Sequence, residues 1–155
     1  MLTLKLRDVL EDRTPDAVSE CNLYVVRDGE VIFYVGQSQR EVADRVCQHC
    51  GMGRHGRGAA FNRKSVLGYL VEDNLPESLQ WEVDFMTVQD CDKRFNYEAR
   101  SVIEAETVLI VELRPALNGS LNRNPMPLPD KYTKGRAERQ MEVIRRVLSG
   151  KPKGA

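Results

Sequence analysis

The sequence predicts a small α/β (α+β) domain whose mainly antiparallel, three-stranded sheet is flanked by helices. Two valine-rich runs lie on either side of an Asp-Gly pair, which is typical of a β-hairpin. A third run, at 81–88, alternates apolar and polar residues, and the segments between these runs repeat apolar residues at helical spacing. With 155 residues, 41% of them hydrophobic, the chain is long enough to bury one core.

Composition limits where in the cell the protein is expected, the redox state of its cysteines and its binding of polyanions. No apolar run is long enough to cross a bilayer, and the N-terminal MLTLKLRDVLEDR carries too many charges for a signal peptide. We therefore expect a cytoplasmic protein without membrane contact, in which the 4 cysteines are thiols. A net charge of zero argues against non-specific binding of polyanions, although basic residues cluster at 54–64 and in the C-terminal tail while 72–92 is acidic.

Each element is assigned from its own local pattern. Strands are predicted at 21–27, 30–36 and 81–88, and helices at 3–12, 38–50, 64–73, 94–113 and 135–149. Ser38 has capping-box spacing to Glu41, Asp92 stands before the fourth helix, and Pro115 ends that helix. Glycine-rich GMGRHGRG and proline-rich NRNPMPLPDK are predicted to be loops.

The length of the hairpin loop determines where its tyrosines point. A two-residue loop would place Tyr24 and Tyr34 on opposite faces of the sheet. A three-residue loop at 27–29 pairs Tyr24 with Ile32 and places both tyrosines on one face as diagonal neighbours. The other face then becomes entirely apolar, with Leu23, Val25, Val31, Phe33 and Val35. This clean separation favours the three-residue loop.

The helix after the hairpin carries a cation and an imidazole at its apolar border. Arg45 and His49 are one turn apart, beside the apolar arc that contains Cys47 and Cys50. Such a pair suits a pocket for an anion, and a surface arginine beside a core histidine is the structural alternative. Cys47 and Cys50, followed by His55, also have the spacing of half a zinc site, but no second pair follows them and a structural zinc is the weaker interpretation.

Glu106 is the sharpest local signal, because it falls in the middle of the apolar arc of the 94–113 helix and not on its rim. An ionised carboxylate in such a place is costly unless it is paired or holds a cation. A salt bridge to Arg45 and a role as a single-carboxylate metal ligand are therefore both open, since Mg²⁺ is often held by one carboxylate and waters.

In this order, the motifs resemble those of the GIY-YIG endonuclease domain family. Residues 22–24 (NLY) stand at the first motif and residues 34–36 (YVG) at the second, and the two tyrosines are ten positions apart. Arg45 with His49, Glu106, and the closing Pro115-Ala-Leu-Asn118 follow in family order. The first glycine of the family is replaced by Asn22, and Arg45 stands one residue further from the second motif than in the commonest pattern.

The resemblance covers about residues 20–120 and implies a GIY-YIG-like fold there. Residues 1–19 would be an N-terminal extension, with a short helix in it, and 121–155 a proline-rich linker and basic helix. The basic helix would add DNA backbone contacts that position the substrate without reading its sequence.

The implied activity is hydrolysis of phosphodiester bonds in DNA with one divalent ion, Mg²⁺ or Mn²⁺, held by Glu106. Arg45 would brace the phosphate and Tyr24 would activate water, or relay its proton to another base such as His49. Tyr34 would orient Tyr24 or the phosphate, and Asn118 would support the site. Substrate contacts are expected from residues around this centre: Gly36, Gln37, Arg54, Arg57, Arg63 and Lys64.

Two other functions are compatible with the sequence. One is a catalytically silent nucleic-acid-binding module of the same fold, and the other is a small interaction domain stabilised by a metal on the cysteines. The sequence leaves little room for a separate recognition domain, so three sources of specificity are open: a DNA structure as the target, a site read by the loops, or a homodimer or partner protein. DNA repair, restriction and mobile-element homing are all roles that such a nuclease would serve.

Overall fold

In the described part of the chain the sheet has four strands, where the sequence predicts three. The structure, a computed structural model, describes residues 1–52 and 64–150. The strands are β1 (Leu2–Lys5), β2 (Leu23–Asp28), β3 (Val31–Gln37) and β4 (Glu82–Met86), and they lie in the order β1-β4-β2-β3 with every pair antiparallel. The predicted α+β class is therefore confirmed and the predicted number of strands is wrong.

The additional strand lies in a segment that we expected to be a helical extension. Leu2 and Leu4 alternate with polar residues and pair with Phe85 and Val83 of β4. Period-2 alternation is a strand pattern, and the helix begins only after it, as α1 (Leu6–Leu10). Leu6 is 1% exposed, so the N-terminal residues belong to the sheet and the core.

The hairpin has a different register from the predicted one, yet both tyrosines share a face. Asp28 pairs with Val31, which leaves a two-residue loop, and Gly29 in that loop has φ +58. A β-bulge then shifts the register between Val26 and Arg27, so that Phe33 on β3 has no partner in the ladder. The bulge moves Phe33 from the predicted apolar face to the tyrosine face and restores the diagonal placement of the two tyrosines.

Five further helices complete the described part of the chain: α2 (Val42–His49), α3 (Val66–Asp73), α4 (Val88–Phe95), α5 (Val102–Leu113) and α6 (Lys134–Leu148). The predicted helix at 94–113 is in fact two helices. Thr87 caps α4 with a capping box and Ser101 caps α5, whereas Asp92 accepts a hydrogen bond from the Ala99 N–H. Ser38 does not cap α2, because its hydroxyl accepts instead from the Arg40 N–H.

Each face of the sheet covers its own apolar cluster. Tyr24, Val26 and Phe33 lie in the larger cluster, to which α1, α2 and α3 contribute. The smaller cluster, on the other face, is where α5 packs on Val35 of the edge strand β3. This arrangement brings α2 and α5 to the same end of the β2–β3 hairpin from opposite sides.

The chain beyond α5 is tied to the rest of the molecule. Leu117 N–H donates to the carbonyl of Phe33, so the segment after α5 covers part of the exposed edge of β3. Tyr132 is buried against Phe33 and Trp81, and α6 then lies on α3 without burying any of its own side chains. Throughout the two described ranges, no helix combines the length and the apolar character that crossing a membrane requires.

Candidate active site

A buried chain of hydrogen bonds joins three side chains beside the hairpin. The Tyr24 hydroxyl lies 2.6 Å from Nε2 of His49, and Nδ1 of the same ring lies 2.7 Å from Oγ of Ser65. Tyr24 is 1% exposed and His49 is 5% exposed, so bulk water competes little for these bonds. Strand β2, the last turn of α2 and the N-cap of α3 thus supply one member each.

Tyr34 packs against both rings of this chain. Its ring centroid lies 6.1 Å from that of Tyr24, with the planes 28° apart, and 4.8 Å from that of His49. The predicted placement of the two tyrosines on one face is therefore confirmed. Tyr34 is half-buried, so its ring covers the pair from the solvent side.

Gly36 is required by Tyr24. The two residues are directly opposite each other in the ladder, and a Cβ on Gly36 would lie 2.3 Å from both Cζ and the hydroxyl oxygen of Tyr24. We expected Gly36 to contact a substrate, but the group that approaches its backbone is the chain's own phenol ring. The glycine therefore shapes the site by letting Tyr24 lie flat on the strand.

Burial sets the protonation states of the hydrogen-bonded chain. Desolvation raises the pKa of Tyr24 far above its ordinary value, and the Arg45 charge only partly opposes this rise. Desolvation, together with Arg45, lowers the pKa of His49 to about 4. At neutral pH the site therefore holds a protonated phenol beside a neutral imidazole, and that imidazole is free to accept a proton.

Arg45 is exposed at the rim of the site, where its charge acts on each of the other groups. It affects the pKa of Tyr24, Tyr34, His49 and Glu106, in every case in the direction expected of a nearby cation. Its own side chain donates to Oε1 of Gln48 at 3.3 Å. Within the described residues, Arg45 and Glu106 do not form a salt bridge. The salt bridge that the sequence left open is therefore not observed.

Glu106 lies at the edge of the buried stripe of α5, whereas the sequence predicts it in the middle of that stripe; Ile103, counted in the predicted arc, is 57% exposed. The fully buried residues of that helix are Ala105, Leu109 and Ile110, while Glu106 itself is half-buried. Desolvation raises the pKa of its carboxyl group, and the Arg45 charge opposes that rise. Within the described ranges it has no hydrogen bond and no ion pair, so the negative charge is held at a cost.

An unpartnered, partly desolvated carboxylate fits a hard divalent cation, since Mg²⁺ is commonly held by one or two carboxylates and waters. The described residues contain no group of three or more His, Cys, Asp and Glu side chains that would hold a metal by themselves. Glu106 is therefore the one predicted protein ligand that the geometry supports.

Asn118 supports the site through the backbone. Its Oδ1 accepts from the Val35 N–H at 2.9 Å, and its Nδ2 donates to the Val35 carbonyl at 2.8 Å. This pair of bonds imitates a neighbouring strand and fixes the edge of β3 between Tyr34 and Gly36. The predicted supporting role is thus given a specific form.

The remaining predicted substrate contacts have different surroundings. Gln37 ends β3, and its buried Oε1 has no hydrogen-bond partner among the residues that the structure describes. Lys64 is ion-paired with Glu72 at 2.5 Å, which reduces the charge it offers to a phosphate. The predicted contacts Arg54, Arg57 and Arg63 lie outside the described residues.

The four cysteines are buried side chains in this fold. Desolvation raises the pKa of Cys50 to about 12, so without a metal this side chain is a thiol at neutral pH. The Cys47 thiol donates to the carbonyl of Val9 at 3.6 Å. The third candidate ligand, His55, lies outside the described residues.

Sequence reasoning missed Ser65. Its one local signal is its position directly before the apolar run that opens α3, which is typical of an N-cap, and it does accept from the Gly68 N–H. Its contact with His49 depends on how α2 and α3 pack together, and no local sequence pattern predicts that packing.

Comparison with known proteins gave no matching family model, curated protein or solved structure. The resemblance to the GIY-YIG family therefore stays a prediction, and the proposal below depends on the site itself.

Proposed function

We propose that this protein is a GIY-YIG-like endonuclease that hydrolyses phosphodiester bonds in DNA with the help of one Mg²⁺ or Mn²⁺ ion. The observation that carries the proposal is the Tyr24 hydroxyl, 2.6 Å from a neutral imidazole. The charge of Arg45 acts on both groups, and the Glu106 carboxylate, which has no hydrogen bond or ion pair to the described residues, lies within electrostatic range of Tyr24.

The protonation states favour a proton relay over a preformed tyrosinate. With its pKa so strongly raised, Tyr24 keeps its hydrogen until the reaction begins. In the attacking step the water oxygen bonds to phosphorus and gives a proton to the Tyr24 oxygen. Tyr24 passes its own proton to Nε2 of His49, and the bond from phosphorus to the leaving sugar oxygen breaks with its electron pair. The leaving oxygen then takes a proton from solvent, and the imidazolium returns its proton to solvent.

The other residues stabilise charge. Arg45, which stays cationic and is exposed, would brace the scissile phosphate as negative charge develops on its oxygens. Glu106 would hold the divalent ion, which supplies Lewis-acid stabilisation of that charge when bound. Tyr34 and Asn118 would keep Tyr24 and strand β3 in place.

One observation favours a second candidate, a nucleic-acid-binding module that does not cleave. Tyr24 is 1% exposed, so the attacking water must approach a hydroxyl that lies beneath the surface. A module of this kind would bind phosphates with Arg45 and the basic residues at 54–64. The rings of Tyr24 and His49 would then contribute only to the stability of the fold.

Nicking of supercoiled plasmid DNA separates the two candidates. We expect chelator-sensitive nicking in Mg²⁺ or Mn²⁺, reduced at least about 100-fold in Tyr24→Phe, Arg45→Ala and Glu106→Gln. Matched controls make the same changes elsewhere: Tyr97→Phe at an exposed ring, and Glu112→Gln at an exposed position of α5. Retardation of DNA without nicking would support the silent module, and neither retardation nor nicking would exclude both.

A further inference from the structure

The described structure contains one member of the hydrogen-bonded chain to which the proposed function gives no role. Ser65 stands behind His49, on the side of the ring away from Tyr24, at a distance of 2.7 Å from Nδ1. We infer that Ser65 is a positioning residue that holds His49 in the Nδ1–H tautomer, so that Nε2 faces Tyr24 as a proton acceptor. This inference rests on the proposed function for its catalytic consequence and on geometry alone for the tautomer.

The donors and acceptors around the Tyr24 hydroxyl decide between the two possible tautomers of His49. If His49 carried its hydrogen on Nε2, the Tyr24 hydroxyl would accept that bond, and its own hydrogen would need another acceptor. Among the described residues, the acceptor within hydrogen-bond distance of this hydroxyl is Nε2 of His49; Arg45, which also acts on it, has donors only, and Tyr34 and Glu106 act on it through charge alone. A buried O–H without an acceptor is costly, so Tyr24 donates to Nε2, and Nδ1–H must donate to Ser65.

Ser65 is equipped to accept that bond. Its Oγ also accepts from the Gly68 N–H at 3.3 Å, and its own hydrogen is directed to the carbonyl of His49 at 3.4 Å. The Ser65 N–H donates to the same carbonyl at 3.1 Å. The serine is thus fixed by three contacts besides the imidazole, so its lone pair is held toward Nδ1.

Gly68 makes this close meeting of two helices possible. A Cβ at position 68 would lie 1.8 Å from the carbonyl oxygen of His49, a contact that no side chain tolerates. With glycine there, the first turn of α3 rests directly on the end of α2. The distance between Ser65 and His49 is therefore set by backbone packing.

Nδ1–H and Nε2–H tautomers are distinguished by long-range ¹H–¹⁵N correlation spectra of histidine-labelled protein at neutral pH. The chain has 2 histidines, and His55→Gln assigns the signals. We expect the Nδ1–H form in the wild type, a mixture in Ser65→Ala, and the wild-type form again in Ser65→Thr. Because Ser65 is also an N-cap, Ser101→Ala serves as the matched control, since it removes the cap of α5 without touching a histidine.

Nicking kinetics supply the second measurement. We expect Ser65→Ala to lower kcat about tenfold with KM unchanged, Ser65→Thr to recover it, and Ser101→Ala to keep the wild-type kcat. An Nε2–H signal in the wild type, or a wild-type tautomer in Ser65→Ala, overturns the inference. A wild type that nicks no DNA removes the nuclease proposal alone, because the tautomer spectra still decide the role of Ser65.

Discussion

The carboxylate of Glu106 opposes folding when no cation is near. Its pKa is raised by desolvation, which means that the folded state disfavours the charged form that dominates at neutral pH. The charged carboxylate lowers the stability of the fold at a pH above the raised pKa. That loss of stability is relieved as the pH falls below this pKa. Residues that weaken the fold in this way without a partner are often kept for binding or chemistry.

Replacing Glu106 by glutamine should therefore stabilise the protein in a chelator. The amide has the same shape and no charge, so we expect a rise in Tm on the order of 2 °C. Added Mg²⁺ should raise the Tm of the wild type and leave that of Glu106→Gln unchanged, because ligand binding stabilises only a protein that binds it. Thermal melts in chelator and in Mg²⁺ at equal ionic strength measure both effects.

Glu112→Gln, on the exposed side of α5, is the matched control and should behave like the wild type. Equal Mg²⁺ responses in all three proteins would remove Glu106 as a metal ligand.

At this scale, sequence reasoning succeeded where one residue broke a local pattern. Glu106 interrupts an apolar arc, and Tyr24 and Tyr34 repeat at a spacing that alternation on a strand can bring together. It failed at Ser65, whose partner is 16 residues away and is brought close by helix packing. It also assigned Gly36 to a substrate, because a sequence shows that space is needed and does not show what fills it.

At the scale of elements, the N-terminal segment and the C-terminal helix differ in how much each contributes to the stability of the fold. Strand β1 pairs with β4 over four residues, and Leu6, Val9 and Val18 after it are all buried. Helix α6 buries none of its side chains and holds to α3 through contacts such as the ion pair of Arg139 with Asp73 at 3.2 Å. The basic helix therefore rests on a fold that the N-terminal residues help to build.

Two truncations test this contrast. A chain that begins at residue 20 loses three buried apolar side chains, each of which is worth about 2 kcal/mol or more, against a total stability of about 5–15 kcal/mol. We expect it to be unfolded by circular dichroism and to expose Trp81, which is 2% exposed in the intact chain. A chain that ends at residue 133 keeps the buried Tyr132, and we expect it to fold with a cooperative melt. A folded first truncation would show that the N-terminal residues are the extension that the sequence predicts.

The errors in the predicted elements have a common physical cause. The third strand and the last helix were found because each follows one period over its length, and the hairpin was found from two valine-rich runs on either side of an Asp-Gly pair. The register failed because a bulge at Phe33 changes the alternation inside a strand, and the predicted 94–113 helix failed because Ser101 begins a new helix after a break. Segment 2–5 was assigned to a helix because four residues of strand are followed directly by helical spacing.

At the scale of the whole molecule, the site lies where the two apolar clusters meet the end of the hairpin. Tyr24 and His49 face the larger cluster, while Glu106 is carried by the helix that covers the smaller one. Because each cluster fixes one part of the site, the relative position of the relay and the carboxylate depends on the whole fold. A charge that appears inside the site should accordingly weaken global stability.

Protonation of His49 supplies such a charge. Its pKa is about 4 in the folded protein against an ordinary value of 6.5, so the unfolded chain binds the proton more tightly. Stability is therefore complete above about pH 6.5 and falls as the pH decreases toward 4. Between pH 7 and pH 4.5 this single group should cost roughly 2 kcal/mol. Urea denaturation followed by Trp81 fluorescence, in the wild type and in His49→Gln, measures the effect as the difference between the two pH dependences. We expect the wild type to lose that much more stability than the variant, whose amide does not titrate. If the two proteins lose stability in parallel over this range, then folding does not lower the pKa of His49, and the desolvated, neutral imidazole on which the relay depends is contradicted.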